Sequence, residues 1–235
     1  MLIEKINGFK VYLKKNGHEM LYRKILLDYF NHSLVVDAIF KDSQETKVFL
    51  IDGGGGGQKF ILKVFIPQKN KIERFLKSFF KGDYYLNLFC ETERVQQNGV
   101  YSICDFYLLA EKKFCNYSSI FIMLFEYIEG ESLGNLNLDS NLKERIKQEV
   151  LRLHKNNMVM GDIQTSNFIL AADKIRIIDC SGKRASLKRK AEDRINLQRR
   201  FGIQNCKKDY GYFVVIAKER VRKVIRKIKN FLAFF

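Results

Sequence analysis

MVMGDIQTSNFIL (Met158–Leu170) and IRIIDCSG (Ile175–Gly182) are the two stretches whose joint reading decides the fold. In the first, Asp162 is followed five residues later by Asn167, and an apolar, strand-like run, Phe168–Leu170, comes next. In the second, an apolar run of Ile175, Ile177 and Ile178 ends at Asp179, and a small loop with Gly182 follows. Phosphoryl transfer needs a carboxylate to orient or deprotonate the attacking hydroxyl, and oxygen ligands for the magnesium that neutralises a triphosphate. Asp162, Asn167 and Asp179 supply that set. Asp and Asn are common loop residues, so the order and pairing of the two motifs carry the signal rather than either one alone.

Working outward, Lys63 sits in the middle of FILKVF (Phe60–Phe65), an apolar strand-like run where a lysine needs a reason. On residue type alone it could also guard an exposed sheet edge. Further on comes FEYIEG (Phe125–Gly130). Together these segments resemble the protein-kinase-like superfamily: Gly161-Asp162 falls in the catalytic loop, Asp179-Cys180-Ser181-Gly182 stands where those enzymes carry Asp-Phe-Gly, Lys63 matches the strand lysine that pairs with the α- and β-phosphates, and Glu126 lies in the hinge. The run Gly53–Gly57 lies too close to Lys63 to be the phosphate clamp and reads as the turn between two strands. KDSQET (Lys41–Thr46) takes the clamp position instead, with backbone amides and the Ser43 and Thr46 hydroxyls in place of glycines. The helix group expected beside Lys63 stays open between Glu73, Asp83, Asn87 and Glu91.

The pattern of the chain agrees with an α+β fold. Strands are predicted at residues 9–14, 34–40, 47–51, 59–65, 100–110 and 119–127. Helices are predicted at residues 18–30, within 71–97, and at 138–155 with Asp139 or Ser140 as cap. The last, 217–235 (AKERVRKVIRKIKNFLAFF), is a basic amphipathic helix with Val221, Val224, Ile225, Ile228, Leu232 and Phe235 near one face. That face suits either a membrane surface or the protein's own core.

Composition narrows the rest. The chain has 235 residues and a formal charge of +16, and residues 183–235 hold 17 Lys or Arg against 4 Asp or Glu. A patch of this kind attracts anionic membranes or nucleic acid, or is simply a solvated face. Five cysteines without a Cys-x-x-Cys pair, and three histidines, indicate neither a disulfide framework nor a metal cluster. Charges interrupt the apolar residues of MLIEKINGFKVYLKK, so no signal-peptide core or membrane span is expected there, and a cytoplasmic protein is.

At finer grain the chain resembles the lipopolysaccharide core heptose(II) kinases of Gram-negative bacteria. The carriers are TKVFLID (Thr46–Asp52), ERFLKSFFKGDYY (Glu73–Tyr85), DFYLLAE (Asp105–Glu111), FIMLFEYIEG (Phe121–Gly130), the loop from Gly161 to Phe168, RIIDCSGK (Arg176–Lys183) and KDYGY (Lys208–Tyr212). The resemblance implies one kinase-like domain over 1–235: a small antiparallel-sheet N-lobe with hinge strand (about 1–127) and a reduced, mainly helical C-lobe (about 128–235). It implies transfer of the ATP γ-phosphate to the second heptose of a lipid-anchored core acceptor at the inner face of the bacterial inner membrane. Asp162 would act as base or orienting group, Lys63, Glu126, Ser43 and Thr46 would hold ATP, and Asn167 and Asp179 would hold Mg2+. The basic carboxyl end would meet anionic lipid, and no nucleic-acid partner is expected. Departures are Met160 where the superfamily often has His, Gln164 where protein kinases place Lys, and no Ala-Pro-Glu segment, which favours a small acceptor over a protein. Another sugar or small molecule as acceptor, or an inert kinase-shaped module, are the rival readings.

Overall fold

Antiparallel pairing organises the first of two units, Met1–Glu129, in a computed structural model that describes residues 1–54, 57–68, 84–114, 117–204 and 207–232. Its elements are β1 (Leu2–Ile6), β2 (Phe9–Leu13), α1 (Glu19–Phe30), β3 (Val36–Asp42), β4 (Thr46–Asp52), β5 (Lys59–Phe65), α2 (Tyr84–Gln97), β6 (Phe106–Phe114) and β7 (Tyr117–Glu126). They form a seven-stranded sheet in the order β1-β2-β6-β7-β5-β4-β3. The glycine run lies in the β4–β5 connection, where the Gly53 amide donates to Gln58 O and closes the turn.

Burial follows the two-residue period of the strands. Phe60, Leu62 and Val64 of β5 join Val11 and Leu13 of β2, Leu108 and Ala110 of β6, and Ile122 and Leu124 of β7 in one core. α1 closes that face with Tyr22, Ile25 and Leu26, all nearly inaccessible. Tyr22 stacks on Tyr107, and Phe60 meets both rings edge-on. β1 was not expected from composition. It pairs with β2 through Asn7 (φ 48°) and Gly8 (φ 79°), the positive-φ pair of a type I′ hairpin turn. β6 starts at Phe106 rather than near residue 100, because the segment after Gly99 (φ 83°) is spent on turning the chain out of α2.

The second unit, Gly130–Phe235, has a small sheet of β8 (Glu131–Ser132), β9 (Phe168–Ala171) and β10 (Lys174–Ile177), in the order β10-β9-β8. Three helices are described with it: α3 (Ser140–Lys155), α4 (Leu187–Phe201) and α5 (Tyr210–Leu232). α3 starts where Asp139 accepts a hydrogen bond from the Leu142 amide, and it buries Leu142, Ile146, Val150 and Leu153 on one face. α4 was not foreseen, although Ser186 caps its start and Gly202 (φ 65°) its end.

α5 begins earlier than its basic run suggests and divides into two parts. Asp209 ahead of it accepts from the Tyr212 amide and pairs with Arg194 of α4 at 2.6 Å. Tyr212, Val215 and Ile216 then pack on Ala191 and Ile195. From residue 221 to 229 every side chain is exposed. Val221, Val224, Ile225 and Ile228 keep 57, 56, 47 and 53% of their surface accessible. The first part of the helix thus docks on the unit's own core, and the part that carries the sequence-predicted stripe does not. Leu232 and Phe235, also assigned to that stripe, lie outside the side chains described.

The aromatic core of the first unit makes a direct expectation. Phe60→Ala should lower the unfolding free energy by about 3–5 kcal/mol, read as a drop in the denaturant midpoint. A change under about 1 kcal/mol would contradict the packing of α1 on β5.

Candidate active site

Alternation along β5 places Ile61, Lys63 and Phe65 on the face away from α1. Lys63 is registered between Val48 of β4 and Met123 of β7, so it stands on an interior strand and is no edge guard. α2 lies across this face: Tyr85 contacts Phe65 and Phe121, and Phe89 meets Phe106, which stacks on Phe125 at 4.2 Å. Lys63 is half-buried, and a lysine at such a position can lay its alkyl stem along apolar neighbours, which reduces its cost. Of the helix groups considered for Lys63, Asn87 is exposed and Glu91 is bonded to Arg94 at 2.6 Å. Glu73 and Asp83 lie outside the described residues.

The clamp position is a tight turn between β3 and β4. The Ser43 hydroxyl accepts from the Thr46 amide at 3.1 Å and donates to Thr46 O at 3.0 Å, while the Ser43 amide also donates to Thr46 O. Ser43 is therefore used in holding the turn, whereas no hydrogen bond of the Thr46 hydroxyl is made among the described residues. Glu126 ends β7, where its carboxylate accepts from the Asp105 amide at 3.0 Å and its own amide donates to Asp105 O at 3.0 Å. Both groups pin the strand end, so the Glu126 carboxylate is a structural tie.

In the second unit the two motif stretches fold against each other. Asp162 is exposed and accepts from Gln164 Nε2 at 2.6 Å. A short 3-10 turn, Thr165–Asn167, brings the Asn167 side chain back so that its Nδ2 donates to Asp162 O at 2.9 Å. That bond commits the amide nitrogen and leaves the amide oxygen as the donor atom. The Ile178 amide donates to Asn167 O at 3.0 Å, which ties Asn167 to the residue before Asp179, and the Ser181 amide donates to Val159 O. Asp179 is exposed and has φ 60°, an uncommon left-handed backbone for a residue with a side chain. Asn167 and Asp179 thus offer hard oxygen donors on two loops joined by main-chain hydrogen bonds, which fits magnesium. Gly161 is required where they abut: its φ is +79°, and an added Cβ would stand 2.9 Å from Ser181 Cβ.

One residue behind these loops was not foreseen. Asp193 of α4 is fully buried, and its Oδ2 accepts from His154 Nε2 at 3.0 Å and the Met160 amide at 2.9 Å, its Oδ1 from the Gly161 amide at 3.0 Å. A buried carboxylate is tolerated when several donors meet it, and two of these donors belong to the loop just before Asp162. The available signal was an acidic residue on the apolar side of α4, two positions after Ala191 and two before Ile195. Asp193→Ala would leave His154 and two amides unsatisfied and should destabilise the protein by about 3–5 kcal/mol. Thermal unfolding checks this, and an unchanged midpoint would contradict the buried network.

With this geometry described, comparison with known proteins identifies the chain's relatives. Residues 1–231 match the family model for lipopolysaccharide core biosynthesis protein (WaaY). A lipopolysaccharide core heptose(II) kinase WaaY of Escherichia coli is 44% identical over 224 residues, covering 95% of this chain and 96% of that protein. The protein of the same name from Escherichia coli strain K12 is 41% identical over 227 residues, with 96% of each covered. A shorter stretch of 64 residues is 39% identical to the KEOPS complex subunit Bud32 of Pyrococcus abyssi, covering 25% of this chain and 29% of that protein. The fold is α+β and protein-kinase-like, and the chain belongs to the WaaY family of lipopolysaccharide core biosynthesis proteins.

Proposed function

We propose that the protein is an ATP-dependent kinase that phosphorylates the second heptose of the lipopolysaccharide inner core. The observation that carries this reading is the hydrogen-bonded loop pair of the second unit, in which Asp162, Asn167 and Asp179 are linked through Asp162 O and Asn167 O. Full-length similarity to proteins named heptose(II) kinases supports the same acceptor. Residues 1–235 are read as one kinase-like domain, with the sheet unit as nucleotide lobe and the helical unit as acceptor lobe.

In the proposed mechanism Asp162 orients the heptose hydroxyl and takes its proton as the oxygen attacks the γ-phosphorus of ATP, the bond from that phosphorus to the β–γ bridging oxygen breaks, and ADP leaves. Gln164, bonded to the same carboxylate, holds it in one rotamer. Asn167 and Asp179 would hold magnesium, which supplies charge neutralisation of the triphosphate. Lys63 is assigned to the α- and β-phosphates and the Thr46 hydroxyl to the phosphates, with Ser43 shaping that turn. Glu126 is assigned to the adenine side through its main-chain carbonyl, since its amide and carboxylate are both bonded to Asp105. Exposure of Asp162 and Asp179 leaves both carboxylates accessible to ligands.

The acceptor is lipid-anchored, and the far part of α5 suits the surface that carries it. Its exposed aliphatic stripe repeats at helical spacing, and Arg220, Arg222, Lys223, Arg226, Lys227 and Lys229 flank it. Among the described residues no helix is long and apolar enough to cross a membrane. We therefore assign the protein to the cytoplasmic face of the inner membrane, held peripherally by α5.

Two measurements test these assignments. Asp162→Asn and Asp179→Asn should each reduce transfer of labelled γ-phosphate to core lipopolysaccharide by at least about 100-fold with the fold retained; near-normal turnover in either sinks the role given to it. Co-sedimentation with anionic vesicles should weaken steeply with added salt and again with Ile225→Asp. Binding that ignores both would remove α5 from the membrane contact.

A further inference from the structure

The β1–β2 hairpin forms one edge of the large sheet and has no part in the proposed chemistry, but the chain leaving it reaches the strand end assigned to adenine. Lys14 directly follows β2, and its amide donates to Tyr107 O at 2.8 Å, which extends the β2–β6 pairing by one step. Its ammonium lies 2.5 Å from Asp105 Oδ1, 3.0 Å from Gln96 Oε1 and 5.8 Å from the centre of the Tyr107 ring. Asp105 in turn grips Glu126 twice: its carbonyl accepts from the Glu126 amide and its amide donates to the Glu126 carboxylate, each at 3.0 Å. The ends of β2 and α2 and the approach to β6 thus meet at the last residue of β7.

Asp105 depends on these contacts for its place. It lies in the irregular stretch between α2 and β6, ahead of Phe106 and Phe125, the first ladder pair of β6 with β7. Gln96 braces the same stretch, because its Oε1 takes the Lys14 ammonium while its Nε2 donates to Ile103 O at 3.3 Å. Lys14 and Asp105 keep only 18 and 28% of their side-chain surface accessible, so their attraction is screened less than that of a surface pair. Charge-assisted hydrogen bonds this short are the strong ones. The neighbouring Tyr107 hydroxyl is pushed well above its ordinary pKa, chiefly by burial and then by the Asp105 charge, so it stays neutral and Lys14 supplies the balancing cation.

The direction of the Glu126 carbonyl matters because the two purine bases differ where they would meet it. Adenine offers an amino donor on C6, whereas guanine carries an oxygen acceptor there, which a carbonyl repels. A carbonyl fixed in one direction accepts the first base and rejects the second. A peptide free to turn can present the Tyr127 N–H to guanine instead. We propose that Lys14 is a positioning and specificity-determining residue for the nucleotide: it holds Asp105, and through it the Glu126 carbonyl, in the direction that selects adenine over guanine. The assignment rests on the adenine reading of Glu126 above and adds the group that fixes it.

Two readouts keep the tie and the nucleotide apart. Amide hydrogen exchange reads the tie without ligand: in Lys14→Met the Glu126 amide should exchange about 10-fold faster, with the Ile122 and Leu124 amides of β7 unchanged. Calorimetric titration reads the base: ATP should bind Lys14→Met about 10-fold more weakly than it binds the unaltered protein, and GTP about equally, so the preference for ATP falls. Lys14→Arg, which still donates to a carboxylate, should restore both, and Lys15→Met, which removes an exposed neighbouring charge, should change neither. Faster exchange along all of β7, or loss of ATP and GTP binding by the same factor, reduces Lys14 to a structural residue and overturns the proposal. No change at the Glu126 amide, or none in the ratio of ATP to GTP affinity, overturns it too. If the Glu126 amide responds as stated while the unaltered protein binds neither nucleotide, Lys14 holds the strand end, and the adenine assignment fails together with the selectivity built on it.

Discussion

The Asp193 carboxylate and its three donors are the constraint on which the second unit's candidate site depends. A buried charge must collect hydrogen bonds from whatever surrounds it, and here the surroundings are the end of α3 and the main chain at Met160 and Gly161. Satisfying the charge therefore sets the path of the backbone immediately ahead of Asp162. Asn167 then returns to Asp162 O, and Ile178 reaches back to Asn167 O. Each of these bonds is modest alone, but together they couple α3, α4 and both motif loops. Asp162 and Asp179 can stay exposed because the backbone carrying them is held from behind.

The first unit reaches its arrangement by a different balance. Its core is formed on one sheet face by α1 and the inward residues of β2, β5, β6 and β7. The opposite face is where Lys63 emerges, among aromatic residues shared by β5, β6, β7 and α2. A lysine at that point must be tolerated by both neighbouring strands, which explains its setting between Val48 and Met123 rather than another charge. Placing a polar function on the face away from the main core keeps that core wholly apolar.

Charge is distributed with comparable economy. The chain's excess of cations is concentrated in α4, α5 and the segments beside them, where several acidic groups are already paired: Glu192 with Lys188, Asp209 with Arg194, Glu219 with Arg199. Pairing that tethers α4 to α5 leaves the outer cations of α5 to interact with anions, and their fields extend only about 8–10 Å at physiological salt. The anions concerned must come close, as a membrane surface does.

Much of this was legible in the residues. The alternation in Lys59–Phe65 marks a strand, the spacing of Leu142, Ile146, Val150 and Leu153 marks a helix, and Asp139 marks its start. These are local signals, since side-chain direction and capping depend on neighbours a few positions away. The order of Lys63, Asp162, Asn167 and Asp179 likewise pointed to phosphoryl transfer, because the chemistry needs those groups. α4 and β1 were passed over, although Ser186 with Gly202 and Asn7-Gly8 mark their ends, because short charged segments give weak apolar periods. Sequence by itself thus nominated candidate residues for the chemistry and determined the type of most elements around them. Only the tertiary structure decided that Asp193 meets the Met160 and Gly161 amides, and that α5 is docked before residue 221 and bare after it. Those outcomes depend on which groups distant segments bring together, and no local pattern encodes a partner more than 30 residues away.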